Sequence, residues 1–232
     1  MKKIIFISTI ILLFYSCKQD KKQPEADSKN PTTNGLSAIT KIDSSQLPKA
    51  IKYEGFIKNA IRWKDKLGDN IVILTETGIF RNEKIEHESD YSKDAALYGY
   101  HFIIKNNDAT QTWRVYDYIN DCPVDIVTSF VKNTFEITDL NKNGIAEIWL
   151  MYKTACHGDV SPSEMKIIMY EGKKKFAMRG ENKVQTGIDD NNEKIFEGGG
   201  YKSDDAFENG PKVFKNFAEN LWNKNTVANS ND

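Results

Sequence analysis

Apolar and polar residues alternate along much of the chain, and this period of two predicts β-strands. The strand-like segments are rich in aromatic and β-branched residues and are bounded by turn-forming residues. They are residues 71–74, 96–105, 112–118, 135–138, 147–152, 166–170 and 175–178. Two connections predict hairpins, one with a turn at Asn143-Gly144 and one over residues 171–174. Residues 57–64 fit a further strand, with a helix over residues 49–64 as the alternative.

The apolar spacing changes to three and four near the C-terminus, which predicts an amphipathic helix from about residue 211 to 224, with Pro211 in its first turn. The residues at this spacing are Phe207, Val213, Phe214, Phe217, Ala218, Leu221 and Trp222. We therefore predict a mainly β fold of antiparallel sheets, propeller-like in one arrangement, with a C-terminal amphipathic helix. An α+β fold is the alternative. Residues 41–227 are expected to form a single globular domain and residues 228–232 a disordered tail.

The N-terminus has the composition of a secretory signal. Two lysines precede a nearly unbroken apolar stretch over residues 4–15, which is too short to cross a membrane because about 20 residues are needed. The stretch ends in Ser16-Cys17 and resembles a bacterial lipobox, although Tyr15 is bulkier than the usual residue. We predict a signal peptide over residues 1–16 and lipidation of Cys17. An ordinary signal peptide with an incidental cysteine is the alternative.

The segment after this cysteine is predicted to be a lipid-anchored flexible tether, residues 17–40. Between residues 18 and 35 no apolar side chain is larger than that of Ala26, so the segment cannot bury surface and stay folded by itself. The lipobox resemblance implies an exported protein, anchored by lipid in the bacterial cell envelope at the outer membrane. The membrane is then its first partner, reached through the lipid anchor.

Composition and charge narrow the class of further partners. Of the 232 residues, 39% are hydrophobic and 28% are charged, which is typical of a globular protein. Lys and Arg number 32 and Asp and Glu 33, so the formal net charge is −1. A chain with so little net charge has no long-range field to gather phosphates, and nucleic acid is not an expected partner.

Two cysteines, Cys122 and Cys156, remain after the predicted lipidation site. An exported protein meets an oxidising environment, and two thiols allow one intramolecular connectivity, so we predict a disulfide between them. Two buried free thiols, or a nucleophile at Cys156 beside His157, are the alternatives.

Oxygen-bearing side chains recur at alternate positions in the loop between two predicted strands. They belong to Asp139, Asn141, Asn143 and Glu147, and the Ile145 carbonyl would add a further oxygen. Ca²⁺ takes six to eight oxygen ligands, which alternate residues of a tight loop can direct inward. The spacing resembles the calcium loop of FG-GAP-type propeller blades, so we predict a structural Ca²⁺, held weakly because only two ligands are carboxylates. The alternative is a plain Asn-Gly hairpin turn whose Asp and Asn bond their own backbone.

Reactive side chains cluster over residues 154–164, where His157, Asp159 and Glu164 could serve a hydrolase. No nucleophile elbow or metalloprotease helix motif accompanies them, so we predict no catalytic residue and keep these three as the alternative. A second candidate is a sugar-binding face made of aromatic residues that would otherwise be core. These are Trp113, Tyr116, Tyr118 and Trp149.

The longest distinctive stretch begins Ile-Thr-Asp-Leu-Asn-Lys-Asn-Gly-Ile-Ala-Glu-Ile-Trp at residue 137 and runs to Pro162, continuing through residues 166–172. It resembles a family of small Bacteroidota lipoproteins named for surface polysaccharide biosynthesis. The resemblance implies a role in lipopolysaccharide or capsule production and points to no catalytic residue. We expect a non-enzymatic envelope lipoprotein that binds a glycan or an assembly protein. The alternative is an envelope hydrolase that acts on glycan or peptide through the 154–164 loop.

Overall fold

Two antiparallel sheets face each other across a shared core in the computed structural model, which describes residues 35–83, 86, 88–106 and 108–227. These residues belong to one compact unit. The predicted signal peptide, the lipidation site Cys17, tether residues 17–34 and the predicted tail at 228–232 lie outside the described residues. In the part of the chain that the structure describes, no helix is both long and apolar enough to cross a membrane.

The elements follow one another along the chain with short connections. In chain order they are β1 (Thr40–Lys41), β2 (Phe56–Asp65), β3 (Gly68–Phe80), β4 (Lys93–Lys105), β5 (Asp108–Cys122), β6 (Ile126–Phe130), β7 (Glu136–Thr138), β8 (Glu147–Cys156), β9 (Glu164–Glu171), β10 (Lys174–Glu181), β11 (Lys183–Ile188), β12 (Lys194–Gly198), β13 (Tyr201–Ser203), α1 (Asp205–Glu208) and α2 (Lys212–Asn225). A short 3₁₀ turn at Ser44–Gln46 follows β1.

The strand order shows a simple up-and-down topology. The first sheet has the order β1-β2-β3-β4-β5, so β5 is an edge strand. The second has the order β13-β10-β9-β8-β6, with β7 also pairing with β8, and β11 and β12 form a separate hairpin. The prediction of a mainly β fold of antiparallel sheets is confirmed, whereas the described residues form no propeller. The alternative helix over 49–64 is wrong, because β2 occupies most of that range.

The second sheet is buried on both faces, and its alternating side chains fill two different cores. On β8, Ile148 and Leu150 point toward the first sheet and pack with Trp63 and Trp113. Trp149 on the same strand points the other way, into the core under the helices. Both sets are buried apolar residues, so this strand is apolar along nearly its whole length.

The C-terminal helix covers the outer face of the second sheet, as its apolar spacing predicts. Phe214, Ala218, Leu221 and Trp222 are buried on α2, which begins just after Pro211. Phe207 lies on the separate short helix α1, not on α2, and it joins the same core. The outer face of the first sheet is covered by the segment that carries Ile42 and Ile51.

Candidate functional site

A disulfide joins the ends of two strands from different sheets. Cys122 ends β5 and Cys156 ends β8, and their Cα atoms are 5.8 Å apart. The predicted pairing is confirmed, and the alternatives of free thiols or a nucleophilic Cys156 do not apply to a bonded sulfur. The bond fastens the edge of the first sheet to the second sheet, next to the cluster of polar residues at 154–164.

The 139–147 loop bonds its own backbone as an Asn-Gly turn does. Asp139 Oδ2 accepts from the Gly144 N–H at 3.1 Å, and Asn141 Oδ1 accepts from the Asn143 N–H at 3.0 Å. Asn143 Oδ1 accepts from the Ile145 N–H at 2.8 Å. Gly144 has φ +78°, a left-handed conformation that favours glycine. Three of the predicted ligand side chains therefore accept hydrogen bonds from backbone N–H groups of the loop itself.

Two glutamates from neighbouring strands border this loop. Glu147 is buried and its carboxylate accepts from Thr138 Oγ1 at 2.7 Å and from the Leu140 N–H at 2.8 Å. Burial raises the pKa of Glu147, although both hydrogen bonds act to lower it. Glu171 pairs directly with Glu147 across β8 and β9, so two like charges meet in the ladder.

Glu171 is a residue of this site that the sequence did not reveal. Its Oε1 accepts from the side-chain amides of both Asn141 and Asn143, each at 2.6 Å. Asp139 Oδ1 is buried and accepts no hydrogen bond from any described residue. The predicted ligands therefore lie around one loop, with a carboxylate oxygen that no described hydrogen bond satisfies. Among the described residues, no group of three or more His, Cys, Asp or Glu side chains forms a metal cluster.

The turn between β2 and β3 holds the loop against the first sheet. The Lys66 ammonium donates to the Asn143 carbonyl, and the Lys66 N–H donates to the Gly144 carbonyl at 2.9 Å. Asp65 Oδ2 accepts from the Ala146 N–H at 3.0 Å. Hydrogen bonds of this loop thus connect the first sheet to the second sheet.

A cleft of about 470 Å³ lies beside the disulfide, at one end of the two sheets. The walls combine hydroxyl, amide and charged groups with aliphatic side chains. Residues that line it include Ile79, Thr128, Lys132, Lys153, His157 and Ser161. Its volume falls in the range of about 300–1,000 Å³ that is typical of small-molecule sites.

The three residues of the catalytic alternative are not brought together. His157 lines the cleft, and its Nε2 is 3.3 Å from Ser163 Oγ. Asp159 also lines the cleft but is exposed, and hydrogen bonds from Ser161 lower its pKa. No described carboxylate accepts a hydrogen bond from His157. Glu164 lines a different groove and forms an ion pair with Lys166 at 3.1 Å.

Ser163 carries the hydroxyl that could serve as the nucleophile of the catalytic alternative. Its backbone, however, is hydrogen-bonded to Asn182. Ser163 is buried, its N–H donates to Asn182 Oδ1 at 2.7 Å, and its carbonyl accepts from the Asn182 N–H at 3.0 Å. Ser163 also lines the cleft, but its hydroxyl lies next to a histidine that no described acid orients, so it lacks the base geometry that a nucleophile needs.

The four aromatic residues of the candidate sugar-binding face separate into two pairs. Trp113 and Trp149 are buried in different cores. Tyr116 and Tyr118 are 46% and 49% exposed, and their rings stack on each other with centroids 5.1 Å apart. The guanidinium of Arg114 lies 5.1 Å from the Tyr116 ring centre. Because the rings face each other, they leave little flat surface on which a sugar could stack.

A buried histidine lies in the core beneath the loop. His101 stacks between Trp63 and Trp113, with centroid distances of 5.6 and 5.4 Å. Its Nε2 is 3.1 Å from Asn70 Oδ1, an acceptor, and its Nδ1 is 2.5 Å from Thr112 Oγ1. Asn70 Oδ1 is an acceptor, so Nε2 carries a proton, whereas the Thr112 hydroxyl can either donate to Nδ1 or accept from it. It is the burial of the ring that favours the neutral form. Burial lowers the pKa of His101 from 6.5 to about 4.

Comparison of the chain with protein-family models, with curated proteins and with solved structures found no match.

Proposed function

We propose that this protein is a non-enzymatic lipoprotein of the bacterial cell envelope that binds a glycan during surface polysaccharide biosynthesis. The observation that supports the proposal best is the 470 Å³ cleft beside the disulfide. Its hydroxyl, amide and ammonium groups match the hydroxyls of a sugar, and its aliphatic walls match the apolar faces of the ring. Lipid attachment at Cys17 and the resemblance of residues 137–172 remain the basis for the envelope location and the process.

The alternative is a hydrolase that uses the same cleft. Against it stand the exposed Asp159, the separate location of Glu164 and the absence of a described carboxylate that orients His157. A glycosidase of the common type also needs two carboxyl groups about 5–9.5 Å apart across the substrate. Asp159 is the acidic residue that lines this cleft.

Titration of the full chain in detergent with oligosaccharides tests the proposal. The oligosaccharides are released by mild acid from the surface polysaccharide of the producing bacterium. We expect binding heat for the parent chain and its loss in Ser161→Trp, which places an indole in the cleft from an exposed position. Asn191→Trp is the matched control, since Asn191 lies in the exposed turn between β11 and β12. It should bind as the parent does.

Two outcomes would contradict the proposal, and a deletion strain extends the test. No binding by the parent, or equal binding by Ser161→Trp, excludes a glycan site in the cleft. Shortening of the oligosaccharides during incubation favours the hydrolase. In the deletion strain the surface polysaccharide profile should change, and the parent gene should restore it while Ser161→Trp should not.

We further propose that the 139–147 loop holds a structural Ca²⁺. The buried Asp139 Oδ1 without a partner is the observation that favours the ion. Asp139, Glu147, the Asn141 and Asn143 side chains and the Ile145 carbonyl would hold it, with Glu171 close by. An alternative source of positive charge is the Lys66 ammonium, which already contacts the Asn143 carbonyl.

Thermal melting in calcium and in chelator separates these possibilities. At ten times the dissociation constant, calcium binding stabilises the fold by about 1.4 kcal/mol, which raises the melting temperature by a few degrees. Asp139→Asn should abolish the response to calcium, whereas Asp190→Asn in the exposed turn between β11 and β12 should keep it. Identical melting curves in millimolar calcium and in excess chelator would mean that the loop binds no calcium and is a plain Asn-Gly turn.

A further inference from the structure

A second concave surface lies on the face of the second sheet that points toward the first. It is an open groove of about 620 Å³, and β9, β10 and β13 form it. Its lining includes Glu164, Lys166, Arg179, Glu181, Gly200 and Lys202. The groove begins where the first sheet ends, because Asp117 on the edge strand β5 contacts Lys166 at 2.7 Å.

Three cations stand in one row across this groove. Arg179 on β10 lies directly opposite Lys166 on β9 and directly opposite Lys202 on β13. Directly opposed residues of antiparallel strands share a face, and strands are about 4.8 Å apart, so the row spans about 10 Å. Like charges placed directly opposite each other destabilise a sheet. An anion bound across the row would relieve that repulsion.

Only one of the three cations is compensated within the described residues. Lys166 forms ion pairs with Asp117 at 2.7 Å and with Glu164 at 3.1 Å. Arg179 and Lys202 are exposed and form no ion pair with a described residue. An arginine beside a lysine suits a carboxylate, because the planar guanidinium donates two parallel hydrogen bonds and the ammonium adds a third. Lys175, on the same strand, has a lowered pKa because of burial and then because of the Arg179 charge.

A row of carboxylates lies next to the row of cations. Glu164 and Glu181 are directly opposite each other on β9 and β10, two positions along from Lys166 and Arg179. A polyphosphate chain that followed the groove would be repelled by this second row. A sugar acid matches both rows, since its carboxylate would bind the cations and its hydroxyls would donate to the glutamates.

The floor of the groove is backbone at the carboxylate row. The Glu181 N–H donates to the Gly200 carbonyl at 3.1 Å, which places Gly200 beside the row of carboxylates. Gly200 itself has open space above it. A ring can therefore approach the backbone without meeting a side chain.

We infer that this groove binds the carboxylate-bearing sugar of an acidic polysaccharide, with Arg179 and Lys202 holding the carboxylate and Glu164 and Glu181 accepting from the hydroxyls. The inference rests on the proposed function for its ligand class, a glycan, and concerns a site separate from the cleft.

Calorimetric titration of the full chain at low salt tests the inference. The probes are oligomers of galacturonate, glucuronate and mannuronate, each compared with the same oligomer after its carboxyl groups are reduced to alcohols. We expect at least one acidic oligomer to bind and the double variant Arg179→Gln/Lys202→Gln to weaken its binding about tenfold or more. The control Lys49→Gln/Lys173→Gln removes the same charge from exposed positions outside the groove and should bind as the parent does.

Several outcomes would overturn the inference. These are no binding of any acidic oligomer, equal binding by the groove variant, or equal binding of the reduced oligomers. Poly-glutamate that binds the parent as tightly, and loses that binding in the groove variant, would make the groove a peptide site. The Ser161→Trp cleft variant separates the two sites. If it abolishes glycan binding while the groove variant has no effect, the proposed function stands and the groove inference fails.

Discussion

Lowering the pH from about 7.5 to about 5 tests the role of the buried histidine on β4 of the first sheet. His101 is 1% exposed, and its neutral ring is stacked between Trp63 and Trp113. Protonation would place a positive charge in this buried position, where no solvent is available to hydrate it. In the unfolded chain the histidine is hydrated, so its protonation is not disfavoured. Acid should therefore favour the unfolded state before the carboxylates begin to titrate.

The size of the effect follows from the two pKa values. The pKa of His101 falls from 6.5 in the unfolded chain to about 4 in the folded protein, so the unfolded state binds the proton more readily. The stabilising contribution is complete above pH 6.5 and is lost as the pH falls toward 4. At about 1.4 kcal/mol for each tenfold change in proton affinity, the full loss is about 3 kcal/mol. By about pH 5, about 2 kcal/mol should be gone, or roughly 4–8 °C in melting temperature.

Urea unfolding followed by tryptophan fluorescence measures this loss, and two histidine variants assign it. The parent should lose about 2 kcal/mol of unfolding free energy between the two pH values. His101→Gln should lose much less, whereas His157→Gln, at a half-buried position in the cleft, should behave as the parent does. Glu147 has the opposite effect on the free energy of unfolding as the pH falls. Burial raises its pKa, so the folded state binds that proton more readily than the unfolded state does. Comparison of the variants removes this contribution, because all three chains contain it.

Two results would refute the reasoning. One is a full loss of about 2 kcal/mol in His101→Gln. The other, which does not require the variant to fold, is an imidazole resonance of His101 in the native parent protein that titrates near pH 6.5. Either result would mean that burial of His101 is not the cause of the pH dependence.

Three further predictions concern the disulfide, the core and the anchor. Reduction of Cys122–Cys156 should lower stability by about 3–4 kcal/mol, measured by calorimetry with and without reductant, and no change would mean that the bond is absent in solution. Gly99→Val should cost about 1–3 kcal/mol, because a Cβ there lies 3.1 Å from a leucine methyl of the facing sheet, whereas Gly200→Ala meets open space. Cys17→Ser should move the protein from the detergent phase to the aqueous phase, and unchanged partition would reject lipidation.

Local features of the chain were predicted well from the sequence. The turn at Asn143-Gly144 was predicted between two strand-like runs, and the structure pairs those strands, β7 and β8, across a longer loop of residues 139–146 in which Gly144 has a positive φ. The helix over 211–224 needs only its apolar spacing, and α2 lies within one residue of those bounds. The disulfide followed from counting thiols in a chain that the sequence predicts to be exported. Phe207, which the sequence groups with the same spacing, lies before the predicted bounds on the separate short helix α1.

The candidate sites depended on strand register, which the sequence left open. Glu171 approaches the calcium loop because it pairs with Glu147, 24 positions earlier in the chain. Arg179 likewise faces Lys166 and Lys202 because of strand pairing, and no local sequence pattern predicts that row of cations. The strands β6, β11, β12 and β13 were not predicted either, since each is short and only partly apolar.

The sequence by itself determined the fold class, the hairpin turns, the C-terminal helix and the disulfide, because these depend on residue type and on spacing along the chain. The tertiary structure alone decided that His101 is enclosed and that His157 and Glu164 line different concave surfaces. The physical reason is that a strand places successive side chains on opposite faces. Which face is buried, and what lies opposite each residue, is settled by the free energy of packing two whole sheets together.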